Sequence, residues 1–157
     1  NFDMFRECCE KNGYTADPLQ LGWLCPIYVA ETDEQAWEEY WPHLMYFRER
    51  LLKGLVIFPP GYTSVRSIAG INKALTKFLS TVDTREELEA GAYTMVGSPE
   101  TVRQRLTENM KKLGVGNLLG LFQLGTLPFE KTTGSMRLFA EKVLPHLRRE
   151  LGTAVVA

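Results

Sequence analysis

The sequence predicts a helix-rich α/β domain in which parallel strands alternate with helices. Two observations lead to this. Residues Leu19–Ala30 (LQLGWLCPIYVA) and Gly116–Gln123 (GNLLGLFQ) are almost continuous apolar runs of strand length. Such runs suit strands buried on both faces of a parallel sheet. Each run is followed by helical sequence, and a further helical pattern leads directly into the second run, which is the order of β-α-β construction. Two parallel strands cannot enclose a core alone, so neighbours from elsewhere in a longer protein or from a partner are expected.

The elements follow in chain order. Phe2, Met4, Phe5 and Cys9 lie on an amphipathic pattern, so a helix is already under way at Asn1 and ends at Asn12-Gly13. A chain that starts inside a helix is expected to be a piece of a longer protein. Tyr14–Pro18 is a connector of turn residues leading to the first strand. Pro26 lacks a ladder donor and implies an edge, a bulge or an interruption there. Thr32 with Gln35 predicts a capping box, with Asp33 and Glu34 suited to the first-turn dipole. The helix it starts should run from about Asp33 to Lys53 with a bend near Pro42. Its aromatics, Trp37, Tyr40, Trp41, Tyr46 and Phe47, spread over more than one face, as in a helix covered on several sides or touching a partner.

Gly54–Ser64 (GLVIFPPGYTS) reads as an apolar loop, either packed on the surface or lining a pocket, and Val65–Leu79 as a helix. Thr84 with Glu87 predicts a second capping box and a short helix to Ala90. Tyr93–Val96 is a short extended piece. Ser98 as N-cap and Pro99 in the first turn open a helix that repeats Val102, Leu106, Met110 and Leu113 up to Gly114. After the second strand, Pro128 to about Leu147 is predicted as an amphipathic helix using Met136, Leu138, Phe139, Val143, Leu144 and Leu147, with Arg148–Ala157 fraying.

Composition narrows the function. The 157 residues carry 18 basic and 19 acidic side chains, so no single-sign field draws in nucleic acid or an acidic membrane. No apolar run approaches the ~20 residues of a membrane span. The opening Asn1–Glu10 is amphipathic and unlike a secretory leader, and Cys8, Cys9 and Cys25 read as free thiols, so a reducing cytoplasm is expected. His43 and His146 show no metal-ligand spacing, and no metal site is predicted.

Four segments in register resemble the luciferase-like flavin monooxygenases. Ile27–Trp37 (IYVAETDEQAW) is similar to the family's seventh strand and following helix start, and Val96–Val102 (VGSPETV) to the helix start before its eighth strand. Gly114–Leu119 (GVGNLL) resembles the entry to that strand, and Leu138–Arg148 (LFAEKVLPHLR) the end of the closing helix. The tail segment is the most specific. The resemblance implies the C-terminal part of a (β/α)8 barrel spanning residues 1–157, with a helical insertion at about 33–92. It further implies reduced FMN, O2 and a small organic substrate, or a deazaflavin in one branch of the superfamily. The expected partners are the missing N-terminal part of the barrel or further copies of the chain. Most of the family's catalytic groups and its phosphate site come from earlier strands and have no counterpart here, so catalytic residues stay unassigned. A non-catalytic truncated interaction module is the alternative.

Barrel sites use the loops at the C-terminal ends of strands. By that rule Glu31, Tyr62, Gln123, Gly125 and Thr126 are the candidates for a cofactor or substrate pocket. Each also has a simpler reading. Glu31 belongs to an acidic helix start, Gln123 needs a structural partner if buried, and Gly125-Thr126 suits a turn. Arg66 near the loop could bind an anion, although a solvated side chain is the favoured reading.

Overall fold

The computed structural model describes residues 2–52, 64 and 84–152. Tyr62, Arg66, most of the apolar loop and the helix expected over Val65–Leu79 lie outside the described residues. The order of elements is α1 (Phe2–Lys11), a 3-10 turn (Pro18–Gln20), β1 (Gly22–Val29), α2 (Asp33–Tyr46), a π turn (Phe47–Leu52), α3 (Arg85–Ala90), β2 (Met95–Gly97), α4 (Pro99–Leu113), β3 (Asn117–Leu121), α5 (Phe129–Leu138), a π turn (Phe139–Val143) and α6 (Leu144–Leu151).

The three strands form one parallel sheet in the order β2-β1-β3. The short extended piece expected at Tyr93–Val96 becomes a third strand, β2, so the expected count of two is corrected to three by its pairing to β1. β1 is central and changes partner along its length. Gly22–Pro26 pair with Asn117–Leu121, and Ile27–Val29 pair with Met95–Gly97. Pro26 therefore sits at an interruption of the ladder, where its missing N–H does least harm, and not on an edge strand.

Alternation along β1 sends residues to two different layers. Cys25, Ile27 and Val29, with Met95, pack on Val102 and Leu106 of α4 and on Phe139, Val143 and Leu147. Tyr28 and Val96 point the other way, into a second cluster with Trp37, Tyr40 and Leu44 of α2 and Leu88 of α3. The Tyr28 and Tyr40 rings stack at 5.3 Å. Burial of such side chains is worth roughly 1.5–3 kcal/mol each relative to exposure. β3 does not meet its expectation of a buried strand. Leu119 is 52% exposed beside its register partner Leu24, which is 62% exposed. The apolar run predicts a demand for cover, and among the described residues nothing supplies it on that face.

Local chemistry explains the helix boundaries. Thr32 caps α2 by accepting from the N–H of Gln35 (3.1 Å), but the box is only half formed, because the Gln35 side chain turns to Glu39 instead. The Thr84–Glu87 box closes in both directions, and Ser98 and Pro99 open α4 as expected. α2 contains Pro42 and passes into the π turn Phe47–Leu52, while the π turn Phe139–Val143 joins α5 to α6, which opens with Pro145 in its first turn. The last helix continues to Leu151, past the expected end at Leu147, and Met136 is 47% exposed where a core position was expected.

Candidate functional site

The loops leaving β1 and β3 lie at the same end of the sheet, where α2 and α5 begin. Asp33, at the first position of α2, reaches across to the start of α4. Its Oδ1 accepts the Ser98 N–H at 2.6 Å and its Oδ2 accepts the Thr101 hydroxyl at 2.9 Å. Gly97 makes room for this: its φ is +154°, and a Cβ there would stand 2.6 Å from Asp33 Oδ1. Burial alone would raise the Asp33 pKa, but the hydrogen bonds from Ser98 and Thr101 prevail and hold it below its ordinary value. Thus the resembling segments Ile27–Trp37 and Val96–Val102 meet physically at one carboxylate.

Glu39, two turns along α2, ties three elements together. It accepts from the Tyr28 hydroxyl (2.5 Å) and from Gln35 (3.2 Å), and pairs with Lys131 of α5 at 3.6 Å. Burial works against its charge, yet the Tyr28 and Gln35 bonds and Lys131 hold its pKa down. Burial, followed by the Glu39 bond, raises that of Tyr28. On the same side of α5, Ser135 is buried and its Oγ accepts the Val29 N–H at 2.8 Å, giving the last residue of β1 a side-chain partner.

The described candidates, Glu31, Gln123, Gly125 and Thr126, already have partners or close contacts within the chain. Gln123 uses both ends of its amide: Nε2 donates to the Leu127 carbonyl (3.0 Å) and Oε1 accepts from the Thr132 hydroxyl (2.7 Å). Thr126 Oγ1 lies 2.9 Å from His43 Nδ1. Gly125 has φ +56°, and a Cβ there would come within 2.7 Å of the His43 carbonyl, so its close approach is to α2. Glu31 forms an exposed ion pair with Lys142 at 3.2 Å. His43 is shifted toward its neutral form, first by burial and then by the nearby charge of Lys131.

Among the described candidates, the close approach at Gly125 is to the His43 carbonyl, and the Gln123 amide is engaged within its own loop. What the described arrangement can do chemically is hold the loop after β3 against α2 and α5 in one geometry. Sequence reading missed Tyr28, Glu39, Lys131, Thr132 and Ser135. Their partners are distant in the chain, and no local spacing signals them; only Asp33 stood in a motif, where it read as a helix-start charge.

Elsewhere, Cys25 is buried, and burial is the main cause that pushes its thiol up to about 12, which favours the protonated form. Among the described residues no group of His, Cys, Asp or Glu could hold a metal ion, and no helix is long and apolar enough to cross a membrane. Among the described residues an open cleft of about 690 Å³ lies at the opposite end of the sheet from the candidate residues. Strand polarity, not cleft size, marks the candidate site here.

Against known proteins, no family model matches the chain, and no curated protein does. Solved structures do. The monooxygenase RslO1 from Streptomyces bottropensis superposes with a TM-score of 0.63 at 19% identity, over 92% of this chain and 36% of its own. The oxygenating constituent of the 3,6-diketocamphane monooxygenase from the CAM plasmid of Pseudomonas putida, a type II Baeyer-Villiger enzyme in complex with FMN, gives 0.61 at 20%, over 92% and 38%. The chain shares its fold with monooxygenases. It spans little more than a third of the length of each.

Proposed function

We propose that this chain is the C-terminal part of a luciferase-like, FMN-dependent monooxygenase. Its (β/α)8 barrel would be completed by strands beyond the described residues. Reduced FMN and O2 would oxidise a small organic substrate at the mouth. The observation that carries this is the likeness of 92% of the chain to two monooxygenases, one of them in complex with FMN. The meeting of two family-like segments at Asp33 supports it, as does the uncovered pair Leu24 and Leu119, which asks for further apolar cover. In this reading the chain contributes a wall of the pocket and the bonds that hold it. Its own Gln123, Gly125 and Thr126 position the loop and leave the flavin to other residues.

The test is flavin titration of the full-length protein, with FMN and a deazaflavin as separate arms, followed by oxygen uptake with the reduced cofactor. Quenching at micromolar FMN with substrate-dependent oxygen uptake is expected. Binding of the deazaflavin alone would move the protein to the hydride-transfer branch. No binding of either, together with a stable dimer, would favour the interaction module, for which Leu24 and Leu119 are the motivating surface.

A further inference from the structure

The cleft of about 690 Å³ lies where β1 and β3 begin, between the Pro18–Gln20 turn and the C-terminal ends of α4 and α6. Its volume is within the ~300–1,000 Å³ of small-molecule sites. The walls are apolar: Met110, Leu118, Leu147 and Leu151 face it from three elements. Its backbone donors are spent. The Gly116 N–H goes to the Pro18 carbonyl (2.7 Å) and the Asn117 N–H to that of Leu21 (3.1 Å). The Asp17 carboxylate is also engaged, accepting from the Leu19 N–H at 2.9 Å as the cap of the turn.

Two charges remain. Lys111 and Arg148, from α4 and α6, both line the cleft, and among the described residues neither has a hydrogen-bond or ion-pair partner. An apolar trough bordered by two unpaired cations has a definite complement. We propose that this cleft binds a free single-chain carboxylate, its acidic head between Lys111 and Arg148 and its hydrocarbon body along the leucines. The site is remote from the β1 and β3 loop ends and independent of the flavin reading.

Calorimetric titration of the full-length protein with decanoate, octanoate and decanol tests it. Each buried methylene should tighten binding about threefold to fourfold, so decanoate should exceed octanoate by roughly tenfold. Decanoate should also bind several-fold more tightly than decanol at low salt, a preference that salt reduces. The pair Lys111→Gln and Arg148→Gln should erase the preference for acid over alcohol and keep the chain-length dependence. Thermal unfolding confirms that the variant is folded. Three results would overturn the proposal: no saturable binding of decanoate, equal binding of acid and alcohol by the unaltered protein, or binding that appears only once residues 153–157 are removed.

Discussion

The two ends of the small sheet are built differently. At the C-terminal end, side chains from α2, α5 and the start of α4 are cross-linked through Asp33, Glu39 and Ser135, which bond elements distant in sequence, while Gln123 ties its own loop to α5. At the N-terminal end, backbone bonds join the Pro18–Gln20 turn to β3, while Leu24 and Leu119 lie exposed and a cleft stays open. Functional loops usually sit at the C-terminal ends of parallel strands, and a loop that must present groups accurately needs its own rotamers fixed. The contrast is between an end fixed by side-chain bonds and one where, among the described residues, apolar side chains stay exposed.

The largest expected effect comes from breaking the cross-link at Asp33. Asp33→Ala removes two charge-assisted bonds and should cost about 2–4 kcal/mol in urea unfolding of the full-length protein. Gly97→Ala should do similar harm, because its Cβ has no space beside the same carboxylate. Gly125→Ala follows, at about 2–3 kcal/mol, since it meets both a left-handed φ and the His43 backbone carbonyl. A cost below ~0.5 kcal/mol would mean that the loop does not pack on α2 as described.

Gln123→Ala strands the Thr132 hydroxyl and one carbonyl, for about 1–2 kcal/mol. FMN affinity in the full-length protein should change little for Gln123→Glu, whereas a tenfold loss with an unchanged melting temperature would make Gln123 a flavin contact. Glu31→Gln removes an exposed ion pair and should cost ~0–1 kcal/mol. At the other end, Leu24→Thr with Leu119→Thr should leave the unfolding free energy of the isolated chain within ~0.5 kcal/mol and raise its solubility. In the full-length protein the same pair should be clearly destabilising if further strands cover that face.

Acid should act on the cross-linked end first. Asp33 and Glu39 titrate below their ordinary values of 3.8 and 4.5, so the folded state holds their protons less tightly than the unfolded state does. Their contribution is complete above about pH 5 and is lost as the pH falls through the lowered values. His43 is also shifted down from 6.5, so its protonation begins to favour unfolding once the pH drops below that value. Asp33→Asn and Glu39→Gln should each flatten the acid limb of stability against pH. An unchanged limb would mean that these carboxylates are free in solution.

Much of this architecture was legible from local chemistry. Thr84 with Glu87, Ser98 with Pro99, and the two apolar runs identify themselves, because capping and burial demand act within a few residues. The candidate loops after β1 and β3 also followed from strand order and polarity. The roles of the residues in them did not. Gln123 and Thr126 stood at the right end of their strand, but whether they face a ligand or Thr132 and His43 depends on how α2 and α5 fold back.

By itself, then, the sequence determined where helices start, which runs become strands, and that the strands are parallel, since propensity, caps and apolar pattern are properties of neighbours in the chain. Tertiary structure alone decided the rest. It made β1 change partner at Pro26, turned Met95–Gly97 into a third strand, and left Leu119 uncovered. It also brought Asp33 to Ser98 and Glu39 to Lys131, across separations at which no spacing rule operates. Each of those outcomes depends on which surfaces meet when the elements pack, and an apolar or charged residue carries no record of its partner until they do.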